Sequence, residues 1–220
     1  MNYQWIHQQF SNVNMKDTRL QKRAVQIAQG CAEHPDKSLP DRFDDWAGVK
    51  AAYRFFSNSK ASHQTLQQPH YLEVLEKARW SEELVLFIQD GSELLFNSHP
   101  WTHGLGPTAD CAGNGLMFHS CLVAKYHESK LQSKETEILG LSYQEAWIRP
   151  EKKSVDSSKE SEVWLRTLKK SGRPQKNWVS VGDRANDIYD FLHVIMDADT
   201  LNMIVKRIKY CTYSKLFNSS

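Results

Sequence analysis

Five consecutive apolar residues, Leu84-Val85-Leu86-Phe87-Ile88, run into Gln89-Asp90 and then Gly91-Ser92. The run is too short for an isolated surface helix. Bounded by a Gly-Ser turn, it predicts a central strand buried on both faces. Asp90 then stands as a charge at the end of a buried strand, which is costly unless the carboxylate caps the following turn or holds a metal ion; the sequence leaves both open. A second stretch, Trp178-Val179-Ser180-Val181-Gly182-Asp183-Arg184, repeats the pattern. If the two strands lie side by side in one sheet, Asp90 and Asp183 converge at the same edge and form the chemical centre of the protein.

A chain of 220 residues can bury a sizeable core, and its seven Trp and nine Phe supply large side chains for one. No apolar run approaches the roughly 18 residues of a spanning helix, and Met1-Asn2-Tyr3-Gln4-Trp5 does not open a signal peptide, so a cytoplasmic protein without a membrane partner is expected. Cys31, Cys111, Cys121 and Cys211 are scattered without a Cys-x-x-Cys pair, which supports neither a disulfide framework nor a zinc knuckle. His99, His103 and Cys111 are the one weak alternative for a metal. A net charge of +2 names no partner by itself.

Along the chain, Leu20, Ala24, Ile27 and Ala28 recur at helical spacing within Asp17 to Gln29, with Lys16, Arg19, Lys22 and Arg23 on the other side of the wheel. That basic face is either a solvated surface or a phosphate-contacting one. Phe43, Trp46, Val49, Tyr53 and Phe56 predict a second helix with an aromatic buried side, and Lys50 and Arg54 lie four apart on another face. Pro69 is expected to open a third helix, with Leu72, Leu75 and Ala78 facing inward. Residues 1–80 thus read as a helical module and 81–220 as a second domain.

In the second part, residues 97–115 are rich in Gly and Pro and predict an extended loop. Strands follow at Leu116 to Ala124 and Ile138 to Ile148. His119 is expected to be buried and satisfied by a neighbouring backbone group. A helix bearing Trp164, Leu165 and Leu168 leads to the strand before Asp183; a helix from Asp187 through Ile195 and a short strand, Met203-Ile204-Val205, close the pattern. Three strands without intervening helices predict an antiparallel meander, and the strand after the first long helix can cross over to lie parallel to the first. The fold class is α/β: a helical module followed by a mixed sheet with flanking helices.

Several of these motifs together resemble the bacterial insertion-sequence DDE transposases of the Tn-five type. Asp17-Thr18-Arg19 with Lys22-Arg23, Ser38-Leu39-Pro40, Ala52-Tyr53-Arg54-Phe55-Phe56-Ser57-Asn58 and Pro69-His70 are similar to their DNA-end-binding domain. Ile88-Gln89-Asp90-Gly91-Ser92, Gly113-Asn114-Gly115-Leu116 with His119-Ser120, Leu139-Gly140-Leu141 with Gln144, Trp147, Arg149 and Pro150, Lys159-Glu160-Ser161 with Trp164, and Asp183-Arg184-Ala185-Asn186-Asp187-Ile188 are similar to their ribonuclease-H-like catalytic core. The resemblance reaches to about residue 208. It implies Asp90 and Asp183 as catalytic ligands for two Mg²⁺ or Mn²⁺ ions, with His119, Arg149 and Arg184 in support. It also implies transposon-end DNA as partner, and either a homodimer or a mixed dimer with a full-length transposase; the basic faces bearing Lys16, Arg19, Lys22, Arg23, Lys50 and Arg54 are expected to bind that DNA. Hard carboxylate oxygens suit such cations, and a paired site can activate water while stabilising a leaving 3′ oxygen.

One departure concerns catalysis. The family's third carboxylate sits in a Tyr-x2-Arg-x3-Glu-x6-Lys helix, and no Tyr of this chain is followed by Arg three positions on. Asp187 or Glu93 is a weak substitute, since neither shares the helix position. The core is therefore expected to be C-terminally incomplete. Three functions stay open: the N-terminal portion of a cut-and-paste transposase, a non-catalytic DNA-binding module or inhibitor of a complete relative, and another ribonuclease-H-like metal-dependent nuclease.

Overall fold

The computed structural model describes residues 3–99, 101–108, 113–128, 134–150, 158–182 and 201–205. The chain divides into two compact units, Met1–Glu73 and Val74–Ser220.

The first unit is helical. A short α1 (Gln4–Phe10) buries Ile6. The next helix, α2 (Thr18–Glu33), starts where the Asp17 carboxylate accepts the Arg19 amide at 2.9 Å, and it runs a turn further than the apolar spacing predicts. Gly30 is required on it: a Cβ there would stand 3.0 Å from the Arg42 carbonyl, because the 3₁₀ turn Pro40–Arg42 crosses closely. Arg42 fixes that crossing by donating to the His34 carbonyl at 3.1 Å, the Pro35 carbonyl at 2.9 Å and Cys31 Sγ at 3.0 Å. Then α3 (Trp46–Phe56) is capped by Asp45, which accepts the Gly48 amide at 2.6 Å. The core joins Ala24 and Ile27 of α2 to Ala52 and Phe55 of α3, with Val13 and Met15 beneath.

Two expectations for this unit are corrected. The buried stripe of α3 is Val49, Ala52 and Phe55, whereas Trp46 is 64% exposed, Tyr53 50% and Phe56 52%. A helix already supplied with three small or apolar residues at i, i+3 and i+6 packs through them and turns its larger rings outward. Pro69 does not open the third helix, because α4 (His63–Arg79) starts six residues earlier, where Ser62 Oγ accepts the Thr65 amide at 3.2 Å. Pro69 lies inside α4, and Leu72 is 60% exposed while Leu75 and Ala78 are buried as expected.

The second unit is built on one mixed sheet of β1 (Leu84–Leu95), β2 (Gly106–Pro107), β3 (Asn114–Glu128), β4 (Lys134–Trp147), β5 (Trp178–Gly182) and β6 (Leu201–Val205), with α5 (Ser158–Lys170) between β4 and β5. β3 pairs antiparallel with β1, β4 and β2; β5 lies parallel to β1, and β6 parallel to β5. The meander and the parallel crossover expected from the element order are both present, and the α/β class holds. No turn follows Asp90, however: Gly91 and Ser92 stay in the ladder opposite His119 and Phe118, and β1 continues to Leu95. The long loop is also shorter than expected, since β2 falls within it and β3 begins at Asn114. The β4 ladder slips twice against β3, leaving Ser142 and Leu139 as extra residues, and Gly140 beside them takes φ 132°, a conformation that favours glycine.

The two faces of β1 differ. Val85, Phe87 and Gln89 are buried on one, while Leu86 and Ile88 are half-buried and Asp90 is exposed on the other, so the strand is not buried equally on both faces. The buried face is covered by α5, whose inner side is Val163, Trp164 and Thr167 with Leu165 and Leu168 half-buried beside them. On the same face Trp178 packs its ring 4.5 Å from Phe87 and donates Nε1–H to the Ala78 carbonyl at 3.4 Å. Asp183, Arg184, Cys111, Cys211 and the helix expected from Asp187 through Ile195 lie outside the described residues.

Candidate functional site

Two sets of residues bear on function, one in each unit. In the helical unit, Arg19, Lys22 and Arg23 lie on the side of α2 away from its core contacts; Arg19 and Lys22 are exposed and Arg23 is half-buried. Arg19 Nε stands 3.6 Å from Asp17, whose carboxyl is held below its usual range by the Arg19 amide. Lys16 is not part of this helical face. It precedes the cap with φ 53°, exposed and off the helix. On α3, Lys50 and Arg54 share the outward face with Trp46 and Tyr53, and the Lys50 ammonium sits 5.6 Å from the Trp46 ring centroid. The same unit holds an apolar pocket of about 450 Å³ lined by Trp5, Phe10, Ile27, Cys31, Phe55 and Phe56 among others.

In the sheet unit, register sorts the candidates by face. Antiparallel partners lie on one face, so Asp90 of β1, Ser120 of β3 and Gln144 of β4 form one row, in which Gln144 donates to Ser120 Oγ at 3.1 Å. This row presents oxygen atoms from an exposed carboxylate and a hydroxyl, the donor type that hard divalent cations take. The adjacent residues point the other way. His119 is buried, its Nε2 is 3.0 Å from Gln89 Oε1, and its ring meets Trp164 edge-on at 4.6 Å. Glu145, paired with His119 across β4, receives Arg166 of α5 at 2.9 and 3.3 Å. The buried histidine expected from sequence is therefore present, bonded to a side chain, on the sheet face opposite Asp90. Glu93 is three residues from Asp90 and so also on the opposite face, where its Oε1 lies 3.7 Å from Arg149 Nη1. That removes Glu93 as a substitute third ligand.

Among the described residues no group of three or more His, Cys, Asp or Glu is arranged to hold a metal. His99 and His103 are both exposed. No described helix is long and apolar enough to cross a membrane.

The outward rings of α3 were missed by sequence reasoning. The signal that finds them is the competing stripe Val49, Ala52 and Phe55, which fills the inward face and leaves Trp46, Lys50, Tyr53 and Arg54 together on the other. Compared with known protein families, residues 2–61 match the model of a family described as transposase DNA-binding. The match falls within the helical unit, and it supports a transposase and DNA as partner.

Proposed function

We propose that the helical unit binds the DNA ends of a transposable element through the exposed cations of α2 and α3, and that the sheet unit derives from a DDE, ribonuclease-H-like transposase core. The observation that carries the first half is the coincidence of the transposase DNA-binding match over 2–61 with helices that turn Arg19, Lys22, Lys50 and Arg54 to solvent. Guanidinium and ammonium groups on exposed helical faces exchange counterions for phosphates, so binding carries a steep salt dependence. Every phosphate that a variant no longer neutralises lowers the log–log salt slope by about 0.9. Arg19→Ala with Arg23→Ala is expected to flatten the slope measured on duplex DNA; an unchanged slope in a folded protein overturns this assignment.

For the second half, support comes from the parallel register Ile88↔Val181. In sequence each of these residues stands two positions before an aspartate, Asp90 and Asp183. On this reading Asp90 and Asp183 hold Mg²⁺ or Mn²⁺ through carboxylate oxygens, with Ser120 beside Asp90. When bound, such ions lower the pKa of water and stabilise the leaving 3′ oxygen in phosphodiester cleavage. Arg149 and His119 act at a distance, Arg149 by holding Glu93 and His119 by fixing Gln89 next to Asp90.

The third carboxylate of that family has no counterpart in Tyr-x2-Arg-x3-Glu-x6-Lys spacing within these 220 residues. The chain on its own is therefore expected to bind DNA without cutting it. Nicking by the purified chain with Mn²⁺, lost in both Asp90→Ala and Asp183→Ala, would overturn the non-cutting expectation while supporting the carboxylate pair.

A further inference from the structure

Trp46 and Tyr53 are seven residues apart on α3, two helical turns and about 10 Å along the axis, on one exposed face with Lys50 between them and Arg54 beside Tyr53. No acidic residue lies within Trp46–Phe56. Large rings held outward at 64% and 50% exposure contribute little to the fold, whose core on this helix is Val49, Ala52 and Phe55. Lys50 and Arg54 stand between and beside these rings, with Asp44 and Asp45 before Trp46 and the exposed Phe56 after Tyr53; two cations interleaved with flat rings match a polyanion bearing flat apolar faces. Nucleic-acid bases have such faces, but a continuous duplex hides them in its stack; they become available where strands end or separate.

We propose that this face of α3 is a stacking platform for unpaired bases, so that the helical unit prefers DNA whose end carries a single-stranded tail or frayed pairs over a fully paired blunt duplex. The inference rests on the DNA-binding reading above and adds the state of the DNA. Lys50 and Arg54 take the phosphates flanking the unpaired bases. The Lys50 ammonium lies 5.6 Å from the Trp46 ring centroid, so the helix presents cation and ring side by side.

The test uses the full chain and fluorescence anisotropy of labelled oligonucleotides: one blunt duplex and the same duplex with a short single-stranded tail. Base–ring stacking is strong enough to give about a tenfold tighter Kd for the tailed DNA. Trp46→Ala is expected to remove that preference while leaving blunt-duplex affinity and salt slope nearly unchanged, and Trp46→Phe to keep most of it. Equal binding of the two DNAs by the wild-type chain overturns the stacking platform and leaves duplex binding intact. Binding of neither DNA overturns both readings. A tail preference that survives Trp46→Ala with Tyr53→Ala overturns the assignment to α3. The wild-type comparison needs no variant, so a folding defect in one cannot decide the matter.

Discussion

The two units hold their functional groups in opposite ways. In Met1–Glu73 the candidate groups are long side chains, Arg19, Lys22, Lys50 and Arg54, standing on solvent-facing helix surfaces with a packed interior behind them. In the sheet unit the candidate is one short carboxylate, Asp90, on a strand paired along its length with β3 and flanked by β5. Long cations follow a phosphate chain at small cost in geometry. A one-carbon carboxylate can go only where its backbone sends it, which suits a site that must fix an ion. The difference is one of reach: the helical unit offers long, adjustable cations, and the sheet a short carboxylate set by its ladder.

The contrast predicts unequal responses to substitution. The largest effect is expected in the sheet interior: Trp178→Ala removes the ring against Phe87 and the indole bond to Ala78, and should cost about 3–5 kcal/mol in urea unfolding. A loss below about 1 kcal/mol would show that the strand beneath Asp90 is not rigidly held.

A pH effect follows from the same interior. Burial pushes the Cys121 thiol from 9.0 up to about 12. A group whose folded pKa is raised favours the folded state below its unfolded value, so this contribution is complete under pH 9 and is lost as pH climbs toward 12. Peptide mapping after alkylation at about pH 8 should find Cys121 unmodified in the folded chain while the half-buried Cys31 reacts. Prompt labelling of Cys121 would reveal a sheet that opens easily.

In the helical unit, Asp45→Ala deletes the α3 cap and is expected to cost about 1 kcal/mol, read as a lower thermal midpoint. Least affected should be the contact surface itself. Lys50→Ala is expected to move stability by no more than about 0.5 kcal/mol while weakening DNA binding, because an exposed cation on a solvated face contributes little to folding. A large stability loss there would erase the distinction between contact and scaffold.

Legibility in the sequence follows this divide. The run 84–88 yields a strand and the order of elements yields the mixed sheet, because a two-residue period and ladder pairing leave few alternatives. The phase of α3 is ambiguous because Phe43, Trp46, Val49, Tyr53 and Phe56 make a plausible stripe one step from the true one, and size alone favours the rings. Pro69 misleads because proline is common in a first helical turn, yet the hydroxyl cap at Ser62 fixes the start elsewhere. The turn expected after Asp90 fails for a pairing reason: Gly91-Ser92 is permissive of a turn, but the fifteen residues of β3 are there to keep β1 extended. Which face each candidate occupies is beyond the sequence, since it depends on register with β3 and β4.

The two extra residues of β4 behave like paired insertions in a reading frame. Followed from Trp147 back toward Lys134, one slip at Ser142 would hand every side chain beyond it to the wrong face; the second, at Leu139, restores the original phase before the strand meets Glu137. The ladder is therefore in frame at both ends and out of frame only across Leu141 and Gly140. Deleting Ser142 alone would turn Glu145 away from Arg166 or force the remainder of β4 out of register. Deleting Leu139 as well would straighten the strand while returning both ends to phase. Loss of both residues is thus expected to disturb this strand less than loss of one.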